Sequence, residues 1–226
     1  KMISELKIKE YKDKSSSLVS LVLSNRQLCD IELIVNGGFA PLNGFLNKSD
    51  YSSVIENMRL ENGEIWPIPI VLDVDEQFIA KNSVEKGVEI ALREKEGFLI
   101  AILTVNDIWK ADKKIEADSI YKTTDIDHPG VNQLFNVTKE FYIGGEITAI
   151  QSPKHYDYTL LRHSPYELKE QFEKLGWEKI VAFQTRNPMH RAHKEIAYRA
   201  AVDVQANLLI HPVVGQTKPG DIDHFT

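Results

Sequence analysis

The chain has 226 residues, 42% of them hydrophobic and 27% charged, with 33 acidic and 27 basic side chains and a formal net charge of −6. At about 150 residues per domain, this length predicts one to two domains with enough apolar material for a real core, which excludes a disordered chain. The acidic balance speaks against a nucleic-acid partner, whose phosphates select basic surfaces.

The opening Lys1-Met2-Ile3-Ser4-Glu5 has no apolar signal-peptide core. The longest strongly apolar run, Phe98 to Val105, is eight residues, against about 20 for a bilayer span. A soluble, cytoplasmic protein with no membrane partner is the expectation. The polar run Lys12-Asp13-Lys14-Ser15-Ser16-Ser17 reads as a loop. Ser24 then stands three residues before Gln27, a capping-box spacing, and Leu28, Ile31, Ile34 and Val35 follow at helical intervals. Gly37-Gly38 stops this helix, since glycine tolerates the left-handed C-terminal turn. The single cysteine, Cys29, excludes an intrachain disulfide framework and a cysteine-based zinc site. Its place in the apolar stripe predicts a buried structural thiol. Phe39 to Leu46 is apolar but broken by Pro41 and Gly44, and is predicted to be an interdomain packing loop. A short helix is expected from Asp50 to about Met58.

From Ile65 to Ile150 the period is two. Ile68, Ile70 and Leu72 alternate around Pro67 and Pro69, which suits an edge strand. Val88, Ile90 and Leu92 alternate with polar or small neighbours and predict a half-buried strand, while Phe98 to Val105 predicts a fully buried one. A helix near Asp112 to Tyr121 follows. Phe141 to Ile150 predicts another strand, with a bulge at Gly144-Gly145. Together these elements predict a mainly β domain, possibly closed as a barrel.

Gln151 to His163 is polar, starts Ser152-Pro153 on its second residue, and reads as a linker. Beyond it the pattern is α/β. Ser164-Pro165-Tyr166-Glu167 supplies an N-cap, a first-turn proline and a capping-box glutamate. Leu168, Phe172 and Leu175 form an apolar face, and Gly176 closes that helix. Lys179 to Phe183 predicts a buried strand. Asn187-Pro188 predicts the start of a helix running to about Asp203, and Leu208 to Ile210 the next buried strand. Strand, helix and strand make one parallel βαβ unit.

Ligands of open α/β sheets bind beyond the carboxyl ends of the strands, which is where Gln184-Thr185-Arg186-Asn187-Pro188-Met189-His190-Arg191-Ala192-His193 falls. The positive end of the following helix makes this an anion site. His190 and His193 share one helical face with Ala197 and Ala200, so both imidazoles are predicted to lie along the sheet rather than in solvent. Arg186 offers a planar fork matched to a tetrahedral oxyanion. A phosphate-bearing substrate is the favoured reading. A satisfied core pair of histidines, or a solvated face, is the bland alternative. A zinc site is the other, and would need a third ligand such as His211 or His224. Arg191 and Lys194 are read as solvated.

At these residues the chain resembles the ATP sulfurylase (sulfate adenylyltransferase) family. Gln184 to His193 matches its Gln-x-Arg-Asn-Pro-x-His-x-x-His signature at every fixed position. Gly37-Gly38-Phe39-Ala40-Pro41-Leu42-Asn43-Gly44-Phe45, Asp127-His128-Pro129-Gly130-Val131, Leu209-Ile210-His211-Pro212-Val213-Val214-Gly215 and Lys218-Pro219-Gly220-Asp221 are similar to further family stretches, in order. The resemblance implies a PUA-like β-barrel domain over residues 1–151. Residues 164–226 would then be the N-terminal part of a Rossmann-like α/β nucleotidylyltransferase domain related to the His-x-Gly-His enzymes. It implies catalytic positions at Thr185, Arg186, Asn187, His190 and His193, and sulfate contacts from Gln184 and Arg186. A nucleotide site would be lined by Gln184, Thr185, Arg186, Asn187, His190 and His193. The substrates and products implied are ATP, sulfate, adenosine 5′-phosphosulfate and pyrophosphate. Magnesium would arrive with ATP, no protein-ligated metal is expected, and the full-length protein would be a homo-oligomer. The family's second signature, Gly-Arg-Asp-His-Ala-Gly, does not occur before Thr226. The expectation is therefore an N-terminal portion of a longer enzyme, to which an adenylylsulfate kinase domain is a candidate addition. Two alternatives stay open: another His-x-x-His adenylyltransferase acting on a phosphorylated small molecule, and a non-catalytic PUA-like RNA-binding module.

Overall fold

The computed structural model describes residues 5–213 and residue 222. The chain divides into two compact units, Lys1–Arg162 and His163–Thr226. The sheet of the first unit is built from β1 (Val19–Val22), β2 (Gly44–Phe45), β3 (Leu72–Val74), β4 (Glu89–Arg93), β5 (Leu99–Lys110) and β6 (Phe141–Ala149). Its strand order is β1-β4-β5-β6-β2, with β3 also on β6. Only the β1–β4 pair is parallel. Among the described strands nothing pairs β1 back to β2 or β3, so the sheet is open where a barrel was expected.

Helices α1 (Glu5–Lys14), α2 (Asn25–Asn36), α3 (Lys48–Asn57), α4 (Glu76–Asn82), α5 (Lys113–Tyr121) and α6 (Pro129–Asn132) accompany this sheet, and α6 runs into a π-helical turn, Gln133–Val137. The start of α2 is set locally. The Ser24 side chain accepts from the Gln27 N–H, the Gln27 side chain accepts from the Ser24 N–H at 2.9 Å, and Gly37 closes the helix at φ 84°. Its buried face, Ile31 and Ile34, meets Leu72, Ile90, Leu92, Ile100, Leu103, Val105 and Ile143 in the main core. Each such side chain contributes about 1.5–3 kcal/mol on burial. Cys29 is exposed instead of buried, because the covered face of α2 runs through Gln27, Asp30, Ile31 and Ile34 and turns position 29 outward.

Tertiary context revised several other expectations. β4 is buried on both faces rather than one: Ile90 and Leu92 face the main core, while Ala91 joins Leu99, Ile102 and Ile150 under Ile8, Tyr11 and Leu18. The strand predicted from Ile68 reduces to Leu72–Val74, since Pro67 and Pro69 have no N–H to give to a ladder. Phe39 to Leu46 packs into the first unit's own core. Ala40-Pro41 is cis, Phe39 meets Trp66 edge-on at 5.7 Å, Phe45 and Leu46 are buried, and Gly44-Phe45 pairs with Gly145 and Glu146. The bulge lies in β5, where the register shifts between Val105 and Asp107 opposite Gly145 and Gly144. The two glycines are needed for close approach: a Cβ on Gly145 would collide with the Thr104 carbonyl, and one on Gly144 with that of Leu46.

Two buried carboxylates bind this unit together at long range. Asp73 accepts from Arg26 Nη2 at 2.9 Å, from Gln27 Nε2 at 2.8 Å and from the Lys139 N–H at 2.8 Å, joining α2, β3 and the approach to β6. Glu116 of α5 accepts the hydroxyls of Tyr51 and Tyr142 at 2.8 and 2.9 Å. Burial raises the Glu116 pKa against the pull of both hydroxyls.

The second unit contains α7 (Pro165–Lys174), β7 (Ile180–Thr185), α8 (Arg191–Asp203) and β8 (Asn207–Pro212). β7 and β8 are parallel, from Ile180 beside Asn207 to Thr185 beside Pro212, with α8 as the crossover. Ser164 and Glu167 form the capping box of α7, and the bonds from Ser164 lower the Glu167 pKa. The strands are half-exposed rather than buried, and Leu175 on the predicted apolar face of α7 is exposed. Among the described residues of this unit only Ala197 and Ala201 are buried.

Candidate functional site

β7 ends in Gln184 and Thr185, which lie beside His211 and Pro212 of β8, and the ladder extends through the Val213 N–H to the Thr185 carbonyl at 2.8 Å. The turn that follows is shaped by Thr185. Its hydroxyl donates to the Asn187 carbonyl at 2.7 Å and accepts from the Asn187 N–H at 3.2 Å. This explains a departure from expectation. Asn187 does not cap the helix: an N-cap side-chain oxygen accepts from the first helical turn, and here the Asn187 Oδ1 accepts from the Ile222 N–H while its carbonyl accepts from the Thr185 hydroxyl. The helix starts at Arg191 instead, with His190 at the N-cap, and the His190 carbonyl accepts from Lys194 at 3.1 Å.

His190 and His193 are brought together at a ring separation of 5.4 Å, edge to face. The His190 N–H donates to His193 Nδ1 at 3.3 Å. An accepting Nδ1 carries no proton, so His193 holds its hydrogen on Nε2. The His193 ring packs against Phe183 of β7 at 5.6 Å, lying along the sheet as predicted. His190 is exposed, in contrast to that expectation, because an N-cap side chain sits outside the helical stripe. That stripe continues from His193 to Ala197, with Ala200 half-buried beside it.

Gln184, Arg186 and Asn187 are exposed on the turn, and Thr185 is half-buried. Arg191 and Lys194 are exposed. Asn187 has a partner that no local pattern indicates: its Oδ1 accepts the Ile222 N–H at 3.1 Å. The Thr-x-Asn spacing was a readable signal for the Thr185 turn, whereas no spacing pointed to the contact 35 residues away.

As a third metal ligand, His211 sits exposed on β8 beside Gln184. His224 lies outside the described residues, as do Val214-Gly215 and Lys218-Pro219-Gly220-Asp221. Among the described residues no three metal-ligating side chains converge, and no helix is long and apolar enough to cross a membrane. The first unit has a cleft of about 360 Å³ lined in part by Arg26, Asp73, Asp75 and Lys139. Its two cations are already held there, Arg26 by Asp73 and Lys139 by Asp75. The turn after β7 concentrates exposed polar, cationic and imidazole groups beside a helix N-terminus, a set suited to an anionic ligand.

Residues 1–152 match the PUA-like domain family and residues 159–226 the ATP-sulfurylase family. Over 213 residues the chain is 54% identical to a sulfate adenylyltransferase of Saccharomyces cerevisiae, covering 94% of this chain and 41% of that protein. Over 218 residues it is 50% identical to one of Mycosarcoma maydis, covering 96% and 38% respectively. A solved structure described as a hexameric APS kinase from Thiobacillus denitrificans superposes with a TM-score of 0.77 at 32% identity, over 97% of this chain and 39% of that one. The chain thus spans about two fifths of the length of these curated relatives.

Proposed function

Because the chain belongs to the PUA-like family over residues 1–152 and continues in the ATP-sulfurylase family over residues 159–226, we propose that it is the N-terminal part of a sulfate adenylyltransferase. In this reading residues 1–151 are a PUA-like domain and residues 164–226 begin a Rossmann-like nucleotidylyltransferase domain. The reaction joins ATP and sulfate to give adenosine 5′-phosphosulfate and pyrophosphate. The observation that carries the reading is the turn from Gln184 to Asn187 leading into the paired His190 and His193 at the start of α8.

A sulfate oxygen attacks the α-phosphorus of ATP and pyrophosphate leaves, so no covalent enzyme intermediate is needed. Catalysis of this type rests on positioning and charge stabilisation. Arg186 and Gln184 orient sulfate. His193, with its proton on Nε2, donates toward the phosphates, and His190 and the positive end of α8 share that task as charge moves onto the leaving group. Thr185 and Asn187 keep the turn in shape. The donor set is cationic or neutral, which suits a metal carried by the nucleotide rather than one ligated by the protein. Magnesium bound to the phosphates would neutralise charge on the leaving pyrophosphate. The protein is read as cytoplasmic and homo-oligomeric.

The test is pyrophosphate release from ATP by the complete protein, with and without sulfate. Release that rises with sulfate is expected. Release that ignores sulfate but responds to a phosphorylated small molecule would overturn the proposal in favour of a related adenylyltransferase. Salt-sensitive RNA binding without turnover would favour an RNA-binding module.

A further inference from the structure

The geometry points to Asn187 as a positioning residue, which clamps the backbone at Ile222 onto the turn after β7 rather than meeting substrate through its side-chain oxygen. Three of its four polar groups are engaged within the chain. The N–H and the carbonyl are taken by the Thr185 hydroxyl, and Oδ1 accepts from the Ile222 N–H at 3.1 Å. Only Nδ2 has no partner among the described residues. The pairing of β7 and β8 runs on to Val213, whose N–H reaches the Thr185 carbonyl. Val213 and Ile222 therefore both meet this turn, one at Thr185 and the other at Asn187. Two points of the chain, 35 residues apart, are joined through one exposed amide side chain. An exposed turn has little packing to hold its shape, so hydrogen bonds that close it on both sides take that role. Misplacing such a turn disturbs the neighbouring Arg186, and loss of orientation lowers rate even when every reacting group is present.

The role rests on the proposed adenylyltransferase reading only where activity is measured, and amide exchange tests the clamp without it. In the complete protein the Ile222 amide is expected to exchange at least about tenfold more slowly than an unprotected amide. Asn187→Ala should abolish that protection, and Asn187→Asp, which keeps an acceptor, should retain it. For turnover, Asn187→Ala and Ile222→Pro remove the acceptor and the donor of one bond, while Ile222→Ala keeps the donor. Each of the first two should lower kcat/KM by roughly five- to tenfold, the scale of one hydrogen bond. Together they should do no worse than the more severe single change, and Ile222→Ala should stay near the parent value. Losses that multiply in the double variant would overturn the clamp and return Asn187 to direct substrate contact. An Ile222 amide that exchanges freely, or equally in the parent and Asn187→Ala, would overturn it even in a protein with no sulfate-dependent activity.

Discussion

The two units solve opposite problems. In the first, Leu72, Ile90, Leu92, Ile100, Leu103 and Ile143 have no exposure at all, and the buried Asp73 and Glu116 are hydrogen-bonded to distant segments. In the second, two alanines are the buried ones among the described residues, the strands stand half open, and exposed polar groups gather at one strand end. Dense packing and long-range hydrogen bonds hold the first unit together, and the cations lining its cleft are already paired. The second unit leaves its polar strand-end residues exposed, with a capping box at Ser164 and a hydroxyl turn at Thr185.

The sharpest way to break this contrast is to delete the same kind of atoms from each unit. Leu103→Ala, at a fully buried site, should cost about 2–5 kcal/mol of unfolding free energy in denaturant titrations. Val181→Ala, on half-exposed β7, should cost less than about 1 kcal/mol. Equal losses would mean that the second unit has a core as demanding as the first.

Turnover sharpens the contrast from the other side. His193→Ala should lower kcat of the complete enzyme by about a hundredfold, while the KM for ATP changes little, because a donor aimed at developing charge acts in the transition state. A loss confined to KM would reduce His193 to a ground-state contact. Leu103→Ala should leave kcat of the folded fraction near the parent value.

A third expectation concerns pH. Burial raises the Asp30 carboxyl from 3.8 to about 6, against the opposing pull of Arg26. The folded chain therefore holds this proton more tightly than the unfolded one. The corresponding stability is present below about pH 4 and is lost as pH rises through about 6. Asp30→Asn should remove that dependence and raise stability at pH 8 by on the order of 1–3 kcal/mol. An unchanged slope of stability between pH 4 and 7 would count against it. The smallest effect belongs to the second unit: Ser164→Ala breaks the capping box of α7 and should cost about 1 kcal/mol, read as faster amide exchange in its first turn.

How far the sequence could be read follows from the range of each interaction. The caps at Ser24 and Ser164 were legible because donor and acceptor lie three residues apart. The order of strand end, turn and helix around Gln184 to His193 was legible too, since it is a local pattern. The start of α8 was misplaced by one turn because two local rules competed. Asn187-Pro188 reads as a helix start, and Thr185 forms a hydroxyl turn over the same residues. The strand at Leu72 is likewise shortened by Pro67 and Pro69, which have no N–H to give to the ladder.

By itself, then, the sequence determined the period of most segments, the caps at Ser24 and Ser164 and the strand-end position of the stretch Gln184 to His193, because helical pitch, strand alternation and turn chemistry act over a few residues. Only the tertiary structure decided which faces are covered. β4 is buried twice because α1 lies over Ala91. Cys29 faces solvent because the covered side of α2 is elsewhere. Asp73 is satisfied by groups 46 and 66 residues away, and Asn187 by one 35 residues on. Such contacts depend on where distant segments meet in space, and the spacing of residues along the chain carries no trace of that.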